Sequence, residues 1–227
     1  MSLMLVRHGQ ASAGTDNYDR LSERGVEQSR RLGEWLLRSG HRFDAVVVGG
    51  MRRHRQTFEA IAGAFSAAGH PLPQAQVDAG LDEFDHHAVF NGFAMANPAH
   101  PAIAASRSGG LQALGAMIHA ALMAWSQDEV PGVPESWQAF GERVNAASQR
   151  LSRLANDGNV LVLSSGGVIS RVAQASLGAS DRHAVDLNLS LRNSGLCEFH
   201  IRPYGLSLGS WNTLPHLHDD RELWTYY

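Results

Sequence analysis

The chain has 227 residues, 44% of them hydrophobic and 18% charged, enough apolar material for one domain with a sizeable core. Its formal net charge of −3, with no basic run, excludes the electrostatic footprint of a nucleic-acid binder. A single cysteine, Cys197, excludes an intramolecular disulfide, and no leader or membrane-spanning run is read, so the cytoplasm is the expected compartment. The first apolar run, Leu3–Val6, reads as a buried strand that stops at Arg7, His8 and Gly9. Ser22 then predicts the N-cap of a helix that faces inward through Val26, Leu32, Trp35 and Leu36 and ends at Gly40. "FDAVVVGG" (43–50) is a second buried strand, and "MRRHRQTFEAIAGAFSAAG" (51–69) the helix after it. A short strand is expected near Gln76–Ala79, followed by an acidic loop with Asp82, Glu83 and Asp85. Residues from about 86 to 132 are rich in Ala, Met and Leu and read as a helical side element or lid. Residues 135–156 form an amphipathic helix leading into the strand "NVLVLSS" and the helix "GGVISRVAQASLG". "SGLCEFHIRP" and "GLSLGSWN" close the chain as a hairpin or a pair of edge strands.

Helices alternate with strands, and the strands are continuous apolar runs. That pattern predicts an α/β three-layer sandwich with a mostly parallel central sheet covered by helices on both faces. The whole chain, 1–227, is read as one such domain, with a helical insertion at about 84–132. In sheets of this kind ligands bind outside the carboxyl ends of the strands. The ends at Arg7-His8-Gly9, Gly49-Gly50 and Ser164-Ser165-Gly166, with the loop after Gly80, should therefore converge on one edge. Arg52 and Arg53 lie just beyond the second strand.

Two arginines and a histidine at such an edge describe a site for a tetrahedral anion. A guanidinium meets phosphate oxygens with a fixed fork and keeps its charge. Histidine can be a neutral nucleophile near pH 7, a following glycine lets backbone N–H groups approach an anion, and a carboxyl group opposite can protonate the leaving oxygen.

These residues, in this order, resemble the histidine phosphatase superfamily, the phosphoglycerate-mutase-like group. A strand runs into Arg7-His8-Gly9. "LSxxGxxQ" is present as Leu21-Ser22-Glu23-Arg24-Gly25-Val26-Glu27-Gln28, "RxxQT" as Arg53-His54-Arg55-Gln56-Thr57, and "LxE" as Leu81-Asp82-Glu83. The resemblance implies that His8 is the phosphorylated nucleophile and Glu83 the proton donor. Arg7 and Arg53 would bind the phosphoryl group, with Gly9, Ser165 and Gly166 completing the substrate contacts. It departs at three positions: Gly49 replaces a serine, Gly14 an asparagine, and Ser165 the second core histidine. A serine hydroxyl still donates a hydrogen bond but without charge, and the missing donor is expected to cost on the order of 10²–10³ in rate. Ser165→His is accordingly expected to raise turnover unless another donor already fills that role.

The resulting expectation is a phosphomonoesterase that works through a phosphohistidine on a small phosphorylated metabolite, without metal or other cofactor. The alternative is a weakly active or non-catalytic module of the same fold that binds a phosphorylated ligand. A phosphoglycerate mutase ranks below both, because no matching substrate contacts are read. No nucleic-acid or membrane partner is expected, and a homodimer is left open. "DEFDHH" (82–87) invites a metal site, ranked below a pocket-rim role in which His86 or His87 stands in for the absent histidine. Solvated loop histidines rank above either. The run "HLHDD" (216–220) is expected at the surface, Trp137, Phe140 and Cys197 in the core, and Arg171 as a surface charge.

Overall fold

The computed structural model describes residues 2–12, 19–107 and 109–226; Gly14 lies outside them. In chain order they form β1 (Ser2–Arg7), α1 (Glu23–Arg38), β2 (Ala45–Val48), α2 (Arg52–Ala67), β3 (Ala75–Val77), α3 (His86–Ala96), α4 (Pro101–Arg107) and α5 (Leu111–Ser126). The second half adds α6 (Trp137–Leu154), β4 (Val160–Ser164), α7 (Gly166–Leu177), α8 (Asp181–Ser190), β5 (Leu196–Arg202) and β6 (Gly205–Thr213). The strands make one sheet in the order β3-β2-β4-β1-β5-β6. β3, β2, β4 and β1 run parallel, and β5 and β6 join as an antiparallel hairpin. The fold is thus the α/β sandwich with a mostly parallel sheet that the alternation of strands and helices implies.

Strand side chains alternate between the two faces, and both faces are buried. Met4, Val6, Val46, Val48, Leu161 and Leu163 pack with Leu32 and Leu36 of α1 and Ile61 and Phe65 of α2. Leu3, Leu5, Val47, Val160 and Val162 pack on the other side with α6 and α7, through Val144, Leu151, Val168, Ile169 and Val172. Burying a side chain of this size stabilises the fold by about 1.5–3 kcal/mol. Such a layered core leaves the strand ends as the natural place for polar groups. In the segment 84–132, α3 and α5 join the second cluster. The Phe84 ring sits 4.7 Å from Trp125 and 5.5 Å from Phe140, and Trp125 lies 5.1 Å from Trp137. This aromatic group fixes the loop that carries Glu83.

The "LSxxGxxQ" run explains itself mechanically. Ser22 caps α1 by accepting from Gly25 N at 3.0 Å. Gly25 has no side chain because a Cβ there would lie 2.1 Å from Gln10 O, and a Cβ on Gly9 would lie 2.3 Å from Gly25 O. Gln28 accepts from Gln10 N at 2.8 Å and donates to Leu223 O at 2.7 Å. Helix, post-β1 loop and C-terminal tail are therefore clamped together within a few residues of His8.

Several local expectations change. Val26 is 45% exposed, and the inward stripe of α1 runs instead through Gly25, Gln28, Ser29, Leu32, Gly33 and Leu36, since close helix approach favours small residues. β3 is Ala75–Val77, and residues 79–81 form a 3₁₀ turn capped by Asp78. α8 was not expected; its N-cap is Ser180, which accepts from His183 N. β5 is not an edge strand, because β1 and β6 flank it. Arg171 is not a surface charge: its guanidinium lies 4.3 Å from the Trp137 ring and pairs with Asp181 at 3.2 Å. His216 is buried rather than exposed, with Nε2 2.8 Å from Ser194 Oγ. No helix among the described residues is long and apolar enough to cross a membrane.

Candidate active site

Sheet register brings the strand ends together. Arg7 of β1 aligns with Ser164 of β4, and Val48 of β2 with Leu163. One residue further on, His8 N donates to Ser164 O at 2.9 Å and Gly49 N to Leu163 O at 3.1 Å. Ser164 Oγ donates to Leu81 O at 2.7 Å, which ties the Glu83 loop to the same edge. The three strand ends and the Glu83 loop thus meet at one place.

His8 is 4% exposed, and its Nδ1 lies 2.7 Å from Gly9 O. A carbonyl oxygen only accepts, so the ring hydrogen is assigned to Nδ1 and the lone pair to Nε2. Arg53 Nε donates to that Nε2 at 3.2 Å. Burial first, then the charges of Arg53 and Arg7 and the nearby His54, hold the His8 pKa well below the usual value of 6.5. The ring is held neutral, with the Nε2 lone pair facing a guanidinium.

The two arginines are anchored differently. Arg53, 3% exposed, pairs through Nη1 with Asp19 at 3.0 Å, and Asp19 also accepts from Arg52 N at 2.8 Å. Met51, the N-cap of α2, offers no side-chain bond, so this distant aspartate does the capping work. Arg7 Nη1 donates to Leu191 O, and the Arg7 guanidinium lies along Gly166, where a Cβ would be 3.6 Å from Nε. A Cβ there would touch Arg7 only at ordinary contact distance; the close approach that glycine permits is to Asn188 Oδ1, at 2.5 Å. Gly9 also acts sterically, since its N–H, offered to an anion in the sequence reading, donates to Thr57 Oγ1 at 3.1 Å.

Of the three carboxylates in the loop, the structure separates one from the rest. Asp82 accepts from Gly50 N, and Asp85 caps α3 by accepting from Ala88 N at 3.0 Å. Glu83 Oε2 accepts from Gly167 N, in the first turn of α7, at 2.9 Å. A side chain on Gly167 would strike Glu83 Oε1 at 2.2 Å. Burial raises the Glu83 pKa above its usual 4.5, against the opposing pull of that N–H and of Arg53 and Arg7. Burial raises the Asp82 carboxyl as well; Glu83 is set apart by feeling both Arg53 and Arg7.

Ser165 stands at the N-cap of α7 without making a capping bond. Its Oγ lies 2.7 Å from His54 Nε2 and accepts from Arg53 Nη2 at 3.4 Å. The imidazole beside Ser165 is thus His54, not His86 or His87, whose rings pack on each other at 4.2 Å with His86 also against Phe90. Sequence reasoning missed His54 and Asp19. Asp19 carries no local signal, whereas His54 sits inside the quoted "RHRQT" run, and its meaning depends on Gly49 and Ser165 in other elements. Among the described residues no group of three or more His, Cys, Asp or Glu is placed to hold a metal ion.

The arrangement is that of a three-layer α/β protein whose central strand ends set a neutral imidazole among guanidinium groups and a partly buried carboxyl with a raised pKa. The sequence matches the histidine phosphatase superfamily (branch 1) over residues 3–102 and 111–214, and the chain belongs to that superfamily. A comparison with curated proteins finds no match. Among solved structures, the chain is similar to the alpha-ribazole phosphatase from Shigella flexneri, with 23% identity, 94% of this chain and 96% of that one covered, and a TM-score of 0.65. It is also similar to a phosphoglycerate mutase from Bacillus anthracis str. Sterne (18% identity, 96% and 95% covered, TM-score 0.66). A phosphoserine phosphatase from Entamoeba histolytica in complex with 3-phosphoglyceric acid matches at 18% identity, with 95% and 98% covered and a TM-score of 0.62. These likenesses are of fold.

Proposed function

We propose that the protein is a phosphomonoesterase that passes the phosphoryl group through Nε2 of His8, with a small phosphorylated metabolite as substrate. The observation that carries this reading is the His8 ring itself: buried, neutral, hydrogen-bonded at Nδ1 to Gly9 O, with its Nε2 lone pair accepting from Arg53 Nε at 3.2 Å. Nε2 attacks phosphorus in line as the ester P–O bond breaks, and Arg7 and Arg53 balance the charge on the phosphoryl oxygens. The Glu83 proton goes to the leaving alkoxide. The Glu83 carboxylate then takes a proton from water as that water attacks phosphorus; the P–N bond breaks, phosphate leaves, and His8 and Glu83 return to their starting forms.

The two arginines supply the positive charge this chemistry needs, so turnover is proposed to need no divalent metal; full activity in EDTA would support that, and restoration by Mn²⁺ would oppose it. A cavity of about 570 Å³ is lined by Gln10, which lies two residues past His8 in the chain, and by Gln112 of α5, Leu189 of α8, and Trp224, Thr225 and Tyr226 of the tail. This cavity is where we place the body of the substrate, with an amphipathic or ring-bearing group against the aromatic wall. The test is turnover of nitrophenyl phosphate and of an alkyl phosphate panel by the parent protein and His8→Ala. Loss of both activities in a folded His8→Ala supports the reading, and survival of either overturns it.

A further inference from the structure

Beside His8 lies a buried imidazole to which the reaction just described gives no part. His54 is fully buried, and its ring centroid is 5.8 Å from that of His8. Its Nε2 lies 2.7 Å from Ser165 Oγ. A serine at a helix N-cap ordinarily spends its hydroxyl on a backbone N–H of the first turn, but Ser165 makes no such bond. Its oxygen meets His54 and Arg53 instead, both directed to the site.

The space confirms the fit. A Cβ on Gly49 would lie 2.2 Å from His54 Nδ1 and 2.8 Å from Cε1. Glycine at 49 therefore makes the room, the imidazole at 54 fills it, and the small hydroxyl at 165 takes the ring's edge. These three residues come from the end of β2, the first turn of α2 and the N-terminus of α7, and each is shaped to the other two.

We propose that His54 is a positioning residue that aims the Ser165 hydroxyl at the phosphoryl group transferred to His8. The inference rests on the reading of His8 as nucleophile. This role requires the His54 proton on Nε2, with Nδ1 unprotonated against Gly49; in that tautomer His54 donates to one lone pair of Ser165 Oγ, and Arg53 Nη2 donates to the other. A hydroxyl has two acceptor sites and one hydrogen, so its hydrogen is left to donate to a phosphoryl oxygen. Two short links thus deliver the hydrogen bond that one imidazole at position 165 would deliver directly. The expectation that Ser165→His alone raises turnover is reversed, because a second ring would compete with His54 for the same volume.

Four variants test this, each checked for folding by circular dichroism and thermal melting, with kcat, KM and inorganic phosphate affinity measured. His54→Phe keeps the bulk and removes the hydrogen bond; kcat should fall about tenfold or more, and by more than KM rises. His54→Gln keeps a polar group at that reach and should stay within about threefold of the parent. Ser165→His alone should fall below the parent, and His54→Ala/Ser165→His should recover above that single variant by about tenfold. A folded His54→Phe with parental kcat and phosphate affinity overturns the proposal, as does a Ser165→His single variant that outperforms the double. His8→Ala separates this from the underlying reading. If it is inactive while His54→Phe is unchanged, the reading stands and the relay is wrong; if His8→Ala is active, the reading itself falls.

Discussion

The ends of β1 and β4 lie side by side in register but are built on different plans. At the β1 end the functional group belongs to the strand's own continuation, and its orientation is set within one residue by the Nδ1 contact to Gly9 O. At the β4 end the strand supplies only a hydroxyl, Ser165, and the imidazole beside it arrives from α2. One end is a local device and the other is assembled from three segments. A local device tolerates change elsewhere but no change in itself, whereas an assembled one should accept compensated changes. The predictions below test that contrast from the larger effects to the smaller.

The largest effect belongs to the β1 end. His8→Ala should reduce turnover of every phosphate ester by at least about 10³-fold, since no phosphoenzyme can form, and no second change should restore it. Steady-state rates for the single variant and for His8→Ala combined with each β4-end variant check this.

Glu83→Gln comes next. An alkyl leaving group needs its oxygen protonated as the P–O bond breaks, and a nitrophenyl group needs little help, so alkyl phosphates should slow by about 10²-fold or more and nitrophenyl phosphate far less. The pH profile follows from the two shifted groups. His8 must be unprotonated, and its lowered pKa keeps it so well below 6.5. Glu83 must be protonated, and activity is lost as pH rises through its raised pKa. The kcat/KM optimum for alkyl esters should therefore lie on the acid side of neutrality, with an alkaline limb that Glu83→Gln removes. If Asp85→Asn shows the leaving-group dependence instead, the proton donor has been misassigned.

At the β4 end, Gly49→Ser should lower stability by more than about 1 kcal/mol, because its side chain enters the His54 ring. Adding His54→Ala should recover part of that loss, since a contact with Leu81 O at 2.9 Å remains. Denaturant midpoints for the two variants are the measurement, and no recovery in the double variant would break the account of this end as a fitted set.

The last prediction is a pH trend in stability, which does not depend on turnover. His54 and His216 are held neutral by burial, with pKa values of about 3 in the folded chain against about 6.5 unfolded. Below about pH 6.5 the unfolded chain binds protons that these folded rings refuse. Stability therefore falls as pH drops from about 6.5 toward 3, by up to about 1.4 kcal/mol per pH unit for each ring. In urea titrations His54→Phe should show a shallower loss than the parent between pH 7 and pH 4.

The contrast between the two ends also explains what could be read in advance. The layers of the fold were legible because apolar runs such as Leu3–Val6 and Val160–Leu163 are buried on both faces, which only a covered parallel sheet provides. Arg7, His8 and Arg53 were legible because each sits at or just beyond a strand end. Glu83 was ranked above Asp82 and Asp85 only through the family resemblance; the structure adds a physical reason, since Glu83 is partly buried within reach of both Arg7 and Arg53. His54 was hidden because its role lies in a distance to Ser165 across 111 residues. Val26 misled because apolar periodicity marks side chains, while α1 approaches its neighbours through Gly25, Ser29 and Gly33. Arg171 and His216 misled because a stacking ring and a buried serine can take polar groups out of solvent without any trace in composition.

The central claim is that Nε2 of His8 carries the phosphoryl group, and trapping the intermediate tests it most directly. The protein would be quenched in alkali during turnover of nitrophenyl phosphate and mapped by mass spectrometry, with a parallel acid treatment. The account predicts a single phosphorylated peptide containing His8, stable to alkali and lost in acid, with phosphorus on Nε2. An acid-stable phosphate on Ser165, or turnover with no phosphoenzyme in the parent and in a Glu83→Gln variant that slows its breakdown, would contradict it.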